Sequence, residues 1–338
     1  MNLVTGGTGL VGSHLLYELT LSGDKVRVLK RKSSNIRNVH KVFSYYSEKA
    51  DELFSKIEWI DGDLLDIYSL YDALDGITNV YHCAAFVSFE AVDKDQIYRT
   101  NVTGTTNLIN ATLDKNIGKL CHVSSIAAIG KPENGGIITE TNFWKFSKTH
   151  SVYAMSKYDA EREVWRGIEE GLNAVIVNPS VILGPGNWNS GSSRFFKSIW
   201  DGLKFYTKGV NGYVDVRDVV KSMILLMNSE IKSERFIVSA ENIDYQTLFN
   251  LIATGLNKKP PKYKASRFLS ELVWKAYKIK SSISKSKPLV TKETAQTANA
   301  KSYYSSQKLI TVVNYQFLSV SQTIENICKL FIEDIVKS

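Results

Sequence analysis

Tyr153 and Lys157 stand four residues apart in a stretch with helical periodicity, so the phenol and the ammonium share one helix face, one turn apart. A free phenol has a pKa of about 10 and is a poor base at neutral pH, whereas a neighbouring cation favours phenolate and lowers it. Such a pair can move a proton. Tyr-x-x-x-Lys alone is common in helices, where its plainer reading is an exposed pair with no task. It gains weight from Ser124 and Ser125, which close a predicted strand through Leu120, Cys121 and Val123. From that strand end Ser125 can donate a hydrogen bond to a substrate carbonyl.

A second chemistry-bearing stretch opens the chain. Gly7-x-Gly9-x-x-Gly12 sits between an apolar strand (Leu3, Val4) and an apolar helix (Leu15, Leu16, Leu19). Glycines in that strand-turn-helix context turn tightly, bring backbone N–H groups to phosphates and let helix and strand pack closely, so the stretch reads as a dinucleotide pyrophosphate cradle. An acidic residue about 20 positions further on usually binds the 2′-hydroxyl of NAD, and none stands here. Instead, the second predicted strand runs into Lys30-Arg31-Lys32 and Ser33-Ser34, a cationic, hydroxyl-rich cluster suited to a 2′-phosphate. The expected cofactor is NADP, bound through Arg31 and Lys32, with NAD as the alternative; a basic surface loop is the plainer reading of the cluster.

These residues need a scaffold that aims them at one crevice. Strand-like runs near 2–5, 25–30, 57–61, 78–83, 118–124 and 173–178 alternate with helical stretches, clearest at 10–22, 93–115 and 150–170. The alternation predicts an α/β fold, a Rossmann-type doubly wound parallel sheet whose ligands lie outside the carboxyl ends of the strands. After residue 178 the pattern breaks at Gly184-Pro185-Gly186-Asn187. The expected division is a dinucleotide-binding domain over 1–178 and a mainly substrate-binding, smaller and discontinuous lobe over 179–338. Within the latter, 213–240 is expected to return to the main body through a strand at 213–216 and a helix at 219–227, and 320–335 to form a closing helix.

Composition narrows the function classes. With 338 residues, 43% hydrophobic and 22% charged, the chain can bury a large core. No apolar run approaches the ~20 residues of a membrane span. The first strand begins at about residue 2, so no secretory leader is expected and the protein is placed in the cytosol. Cys83, Cys121 and Cys328 match neither a disulfide framework nor a zinc site, so reduced cysteines and no metal are expected. The net charge of +8 is local, because residues 258–308 hold 13 Lys and Arg against only Glu271 and Glu293. Within them 268–284 is amphipathic at helical spacing. It is expected as a helix over the substrate cleft with solvated lysines, and contact with an anionic membrane or acidic substrate is the alternative. No motif supports a nucleic-acid partner.

Several motifs together resemble the extended short-chain dehydrogenase/reductase family, in that family's order. They are the glycine motif, His82-Cys83-Ala84-Ala85, Thr100-Asn101-Val102-Thr103-Gly104-Thr105, Val123-Ser124-Ser125, Tyr153-x-x-x-Lys157 and Asn178-Pro179-Ser180-x-x-x-Gly184-Pro185-Gly186. The similarity is strong over about residues 1–225 and only in outline beyond. It implies Tyr153 as catalytic acid/base, Lys157 lowering its pKa and holding the nicotinamide ribose, Ser125 polarising the carbonyl, and Asn101 supporting the lysine and a proton relay. It further implies Gly6, Gly9, Leu10, Val11 and Gly12 at the pyrophosphate, Asp63 and Leu64 flanking the adenine, and Ala84, Ala85, Ser124 and Pro179 along the cofactor. A homodimer through the 93–115 and 150–170 helices would follow the family's habit.

Phe86-Val87-Ser88-Phe89 and Gly184-Pro185-Gly186-Asn187 resemble the dihydroflavonol-reductase-like and 3β-hydroxysteroid-dehydrogenase-like branches of the NAD-dependent epimerase/dehydratase superfamily. Trp188, Phe195, Phe196, Trp200, Phe205 and Tyr206 could line an apolar pocket, although an amphipathic core helix explains several of them equally well. The expected activity is NADP-dependent interconversion of a carbonyl and an alcohol on a small apolar molecule. The alternatives are a nucleotide-sugar epimerase or dehydratase with bound NAD, and a non-catalytic dinucleotide sensor.

Overall fold

A computed structural model describes residues 1–337 apart from 89, 134, 148–149 and 266–297. Phe89 and the amphipathic stretch 268–284 therefore lie outside the described residues. Seven parallel strands make the main sheet: β1 (Asn2–Thr5), β2 (Val26–Lys30), β3 (Ile57–Asp61), β4 (Asn79–His82), β5 (Lys119–Val123), β7 (Ala174–Pro179) and β11 (Glu234–Val238). Their order is β11-β7-β5-β4-β1-β2-β3, and the order reverses beside β1, where a doubly wound sheet opens its ligand crevice.

The sheet is covered on both faces, and alternate residues go to opposite cores. Val4, Val28, Cys121, Val175 and Val177 pack on one face with α1 (Leu10–Leu21), α2 (Arg37–Ser44), α3 (Ala50–Ser55) and α9 (Val216–Met227). Their neighbours Leu3, Leu29, Leu120 and Ile176 pack on the other with α4 (Ile67–Ala73), α6 (Gly104–Asp114) and α7 (Val152–Glu169).

The helical stretch expected over 93–115 is continuous from Lys94 to Asp114 but carries a π-helical insertion. A short α5 (Lys94–Tyr98) runs into a π-helical turn, Arg99–Thr103, before α6. The helix expected from 219 begins at Val216, because the Asp215 carboxylate caps it by accepting from the Arg217 amide at 2.8 Å.

Past β7, the strands β8 (Val181–Leu183), β10 (Val210–Asp215) and β12 (Glu241–Asp244) form a separate three-stranded sheet, while β11 returns to the main one. Around the small sheet, α8 (Arg194–Trp200), α10 (Tyr245–Gly255) and α12 (Val320–Lys337) enclose a third core with Trp188, Phe196, Ile252 and Phe331. Two-residue ribbons pair β6 (Ile137–Ile138) with β14 (Tyr303–Tyr304) and β9 (Phe205–Tyr206) with β13 (Tyr263–Lys264), and α11 (Gln307–Val313) packs beside β11. Among the described residues no helix is long and apolar enough to cross a membrane.

Candidate active site

All strands of the main sheet run the same way, so the loops leaving β1, β2, β3, β4, β5 and β7 meet along one edge. At the end of β1 the backbone nearly touches the segment after β4: a Cβ on Gly6, whose φ is +70°, would lie 2.5 Å from the Ala84 Cα. A Cβ on Gly12 would lie 2.3 Å from the Gly6 carbonyl oxygen. Only glycines allow this turn. The exposed Gly9 begins α1 with no side-chain cap and no acid in the first turn, so no capping side chain takes the first amides of the helix.

Lys157 is buried, and its Nζ donates to the Val123 carbonyl at 2.8 Å. That is its single hydrogen bond among the described residues, so two of the three ammonium donors have no acceptor among them. Burial pulls its pKa down to about 8, with Glu161 and then Cys83 opposing. Tyr153, one turn earlier and half-buried, is hydrogen-bonded to the Ser125 side chain. Burial raises the phenol and the Ser125 contact lowers it, with a net upward shift. The Ser125 hydroxyl also accepts from the Ala127 amide at 3.1 Å. Beside them, burial first and then the Lys157 charge hold His82 down to about 3 and His122 well below the usual imidazole range, so both are neutral.

The other sequence-selected residues distribute themselves around this centre. Asn101 lies in the π-helical turn, and its amide bonds to both backbone groups of Phe86, at 2.7 and 3.1 Å, and to the Ser156 hydroxyl at 3.0 Å. It ties the strand-end segment to α7 through the residue before Lys157. The buried Ser124 hydroxyl donates to Glu161 at 2.6 Å. Asp63 accepts from the Leu65 amide at 2.9 Å, and the Leu64 carbonyl accepts from Asn107 at 2.9 Å, which closes the end of β3 over α6. Arg31 and Lys32 are exposed after β2 and make no ion pair among the described residues, whereas Lys30 is occupied by Asp61. Ala84 and Ala85 follow β4, and Pro179 ends β7. Of the aromatic set, Trp188 and Phe196 belong to the third core, and Phe205 is exposed.

Glu161, Asn178 and Arg235 form a network that sequence reasoning missed. Glu161 is 2% exposed and accepts from Ser124, from Asn178 at 2.7 Å and from Arg235 at 2.9 Å. The Asn178 amide also donates to the Ser125 carbonyl at 3.0 Å, so the carboxylate anchors the Ser125 turn through a neighbour. Tyr153, Lys157 and Glu161 recur every four residues on one face, a periodicity that could have revealed the carboxylate.

The uncapped helix end, the crowded glycine turn and the spare lysine donors fit a nicotinamide dinucleotide. Comparison with known proteins agrees. The family model described as the NAD dependent epimerase/dehydratase family matches residues 2–239. A putative dihydroflavonol 4-reductase from Synechocystis sp. is 29% identical over 333 residues, covering 95% of this chain and 91% of that protein. Sterol demethylase protein B from Methylococcus capsulatus is 32% identical over 246 residues, covering 71% of this chain and 70% of that protein. The crystal structure of gox2253 superposes with a TM-score of 0.82 at 28% identity, covering 99% of this chain and 98% of that one. The chain belongs to the NAD dependent epimerase/dehydratase family and is an NAD(P)-dependent oxidoreductase.

Proposed function

We propose that the protein reduces a carbonyl on a small, apolar molecule with NADPH, using Tyr153, Lys157 and Ser125. The observation that carries this reading is the Ser125–Tyr153 hydrogen bond set beside a buried ammonium with two unclaimed donors, on the strand edge that holds the glycine turn. A bound NADPH would supply hydride there. Tyr153 holds a proton at Oη for the substrate oxygen, and a phenol kept neutral by burial suits the donor side of that transfer. The Ser125 hydroxyl donates to the same oxygen. Lys157 lends its free N–H groups to the ribose and its charge to the phenol. The Leu10 and Val11 amides, with Gly6, Gly9 and Gly12, take the pyrophosphate; Asp63 and Leu64 flank the adenine; Ala84, Ala85, Ser124 and Pro179 border the cofactor.

The 2′-phosphate falls to Arg31 and Lys32, exposed cations after β2 with no ion pair among the described residues. Arg31→Ala should weaken NADPH binding at least tenfold and leave NADH binding unchanged in a fluorescence titration. An equal effect on both cofactors removes the role. The apolar substrate is supported by relatives named for a dihydroflavonol and a sterol. On this reading the region past β7, apart from β11 and α9, holds the substrate. The enzyme works in the cytosol, where its three free cysteines stay reduced. Two copies pair through the 93–115 and 150–170 helices, which sizing by light scattering checks. The deciding assay follows NADPH oxidation over a panel of apolar ketones and aldehydes in the wild type and in Tyr153→Phe. Turnover of at least one compound, lost in the variant, supports the proposal. Turnover of nucleotide sugars alone, with NAD copurifying, overturns it.

A further inference from the structure

Among the described residues, one region of the surface gathers lysines. Lys204, Lys208, Lys258, Lys259, Lys262, Lys264 and Lys301 are exposed, and no Asp or Glu occurs in residues 202–212, 256–265 or 298–303. These segments are contiguous. In the β9–β13 ribbon Phe205 stands opposite Tyr263 and Tyr206 opposite Lys264. The Lys204 carbonyl accepts from the amides of Lys262 and Tyr263 at 3.1 and 3.0 Å, and Lys301 bridges Val210 just beyond. None of the seven lysines is in an ion pair among the described residues; Lys258 instead lies 3.9 Å over the Trp200 ring. Amid them Phe205 and Tyr263 are 47% and 53% exposed, with ring centroids 5.7 Å apart.

Seven like charges with no ion-pair partner among the described residues repel one another, and the Phe205–Tyr263 pair among them is half in water. Both costs fall on a surface that supplies negative charge and an apolar layer together. We propose that this face docks peripherally on an anionic lipid bilayer, the lysines over the headgroups and the Phe205–Tyr263 knob at the acyl boundary. Nucleic acid fits less well. The cations are all lysines, point charges without the planar fork of arginine, and the two rings pack on each other at 41°, presenting a knob rather than open faces for bases. The inference does not depend on the catalytic reading, and its test needs no substrate.

The test is co-sedimentation of the full chain with phosphatidylcholine vesicles with and without 30% phosphatidylserine, at about 0.1 M and 0.5 M salt. The wild type should pellet only with the serine-containing vesicles, and only at the lower salt. A Lys204→Gln/Lys262→Gln/Lys264→Gln variant should bind at least tenfold more weakly, and Phe205→Ser/Tyr263→Ser should bind more weakly at equal charge. Unchanged melting temperature and NADPH binding verify that the variants are folded. Failure of the wild type to pellet, equal binding to neutral vesicles, undiminished binding by the lysine variant, or binding to poly(U) without vesicle binding would each overturn the proposal.

Discussion

The two ends of β5 each hold a buried lysine, and they are used differently. At the amino end Lys119 donates to the carbonyls of Leu226 and Ser229, at 2.7 and 2.6 Å, where α9 terminates. Its charge meets the negative end of a helix dipole, and its donors are largely spent on the fold. At the carboxyl end Lys157 has one carbonyl, that of Val123, and a pKa lowered to about 8. One lysine is satisfied by the protein, and the other is left short. A buried donor without an acceptor is costly to the free protein, so its persistence marks a place where something else binds.

Replacement of each lysine by methionine should separate the two roles. Lys157→Met is expected to cut NADPH-dependent turnover by at least a hundredfold while leaving stability unchanged or raised, because a desolvated charge is removed. Lys119→Met should leave turnover near wild type and lower unfolding stability by about 2–3 kcal/mol, since two carbonyls lose a charged donor. Urea unfolding and steady-state rates on the same samples check both, and matching losses in the two variants would erase the distinction.

Acid should destabilise the fold through three buried histidines, of which His82 and His122 lie near the carboxyl end of β5 and His14 on α1. His82 is held down to about 3 and His14 to about 4, both first by burial, and His122 lies well below its usual range. Below pH 6.5 the unfolded chain binds protons that these folded imidazoles refuse, so stability is full above that pH and is lost as pH falls. Each such group costs about 2 kcal/mol at pH 5. Unfolding measured at pH 7 and pH 5 should show the drop, and His82→Gln should shrink it.

A smaller effect tests the carboxylate behind Lys157. Above about pH 8 the buried ammonium loses its proton, so NADPH affinity should decline as pH rises through that value. Glu161→Gln removes the largest influence that keeps Lys157 charged and should move the decline down by about one pH unit. Cys83, whose thiol burial pushes up to about 12, remains protonated across this range and does not blur the transition. An unmoved midpoint would mean that Glu161 acts only by tying Ser124, Asn178 and Arg235 together.

The strands around the crevice were legible in the sequence because each is a local apolar run ended by a turn, and their ends carry Gly6, Ser125 and Lys157's acceptor Val123. What escaped is nonlocal. Glu161 meets Arg235 across 74 residues, and no local pattern announces that contact. The π-helical turn at Asn101 is one extra residue in a helix, invisible to a 3.6-residue period but decisive for aiming the amide at Phe86. The ribbons β6–β14 and β9–β13 are two residues per strand, too short for alternation to show.

The most direct measurement is deuteride transfer from NADPH carrying deuterium at both C4 positions of the nicotinamide to a ketone turned over by the enzyme, read by mass spectrometry of the alcohol. One deuterium should appear on the carbinol carbon, at a rate that collapses in Tyr153→Phe. Alcohol formed without the label, or labelled at an undiminished rate in Tyr153→Phe, would contradict carbonyl reduction with Tyr153 as the proton donor.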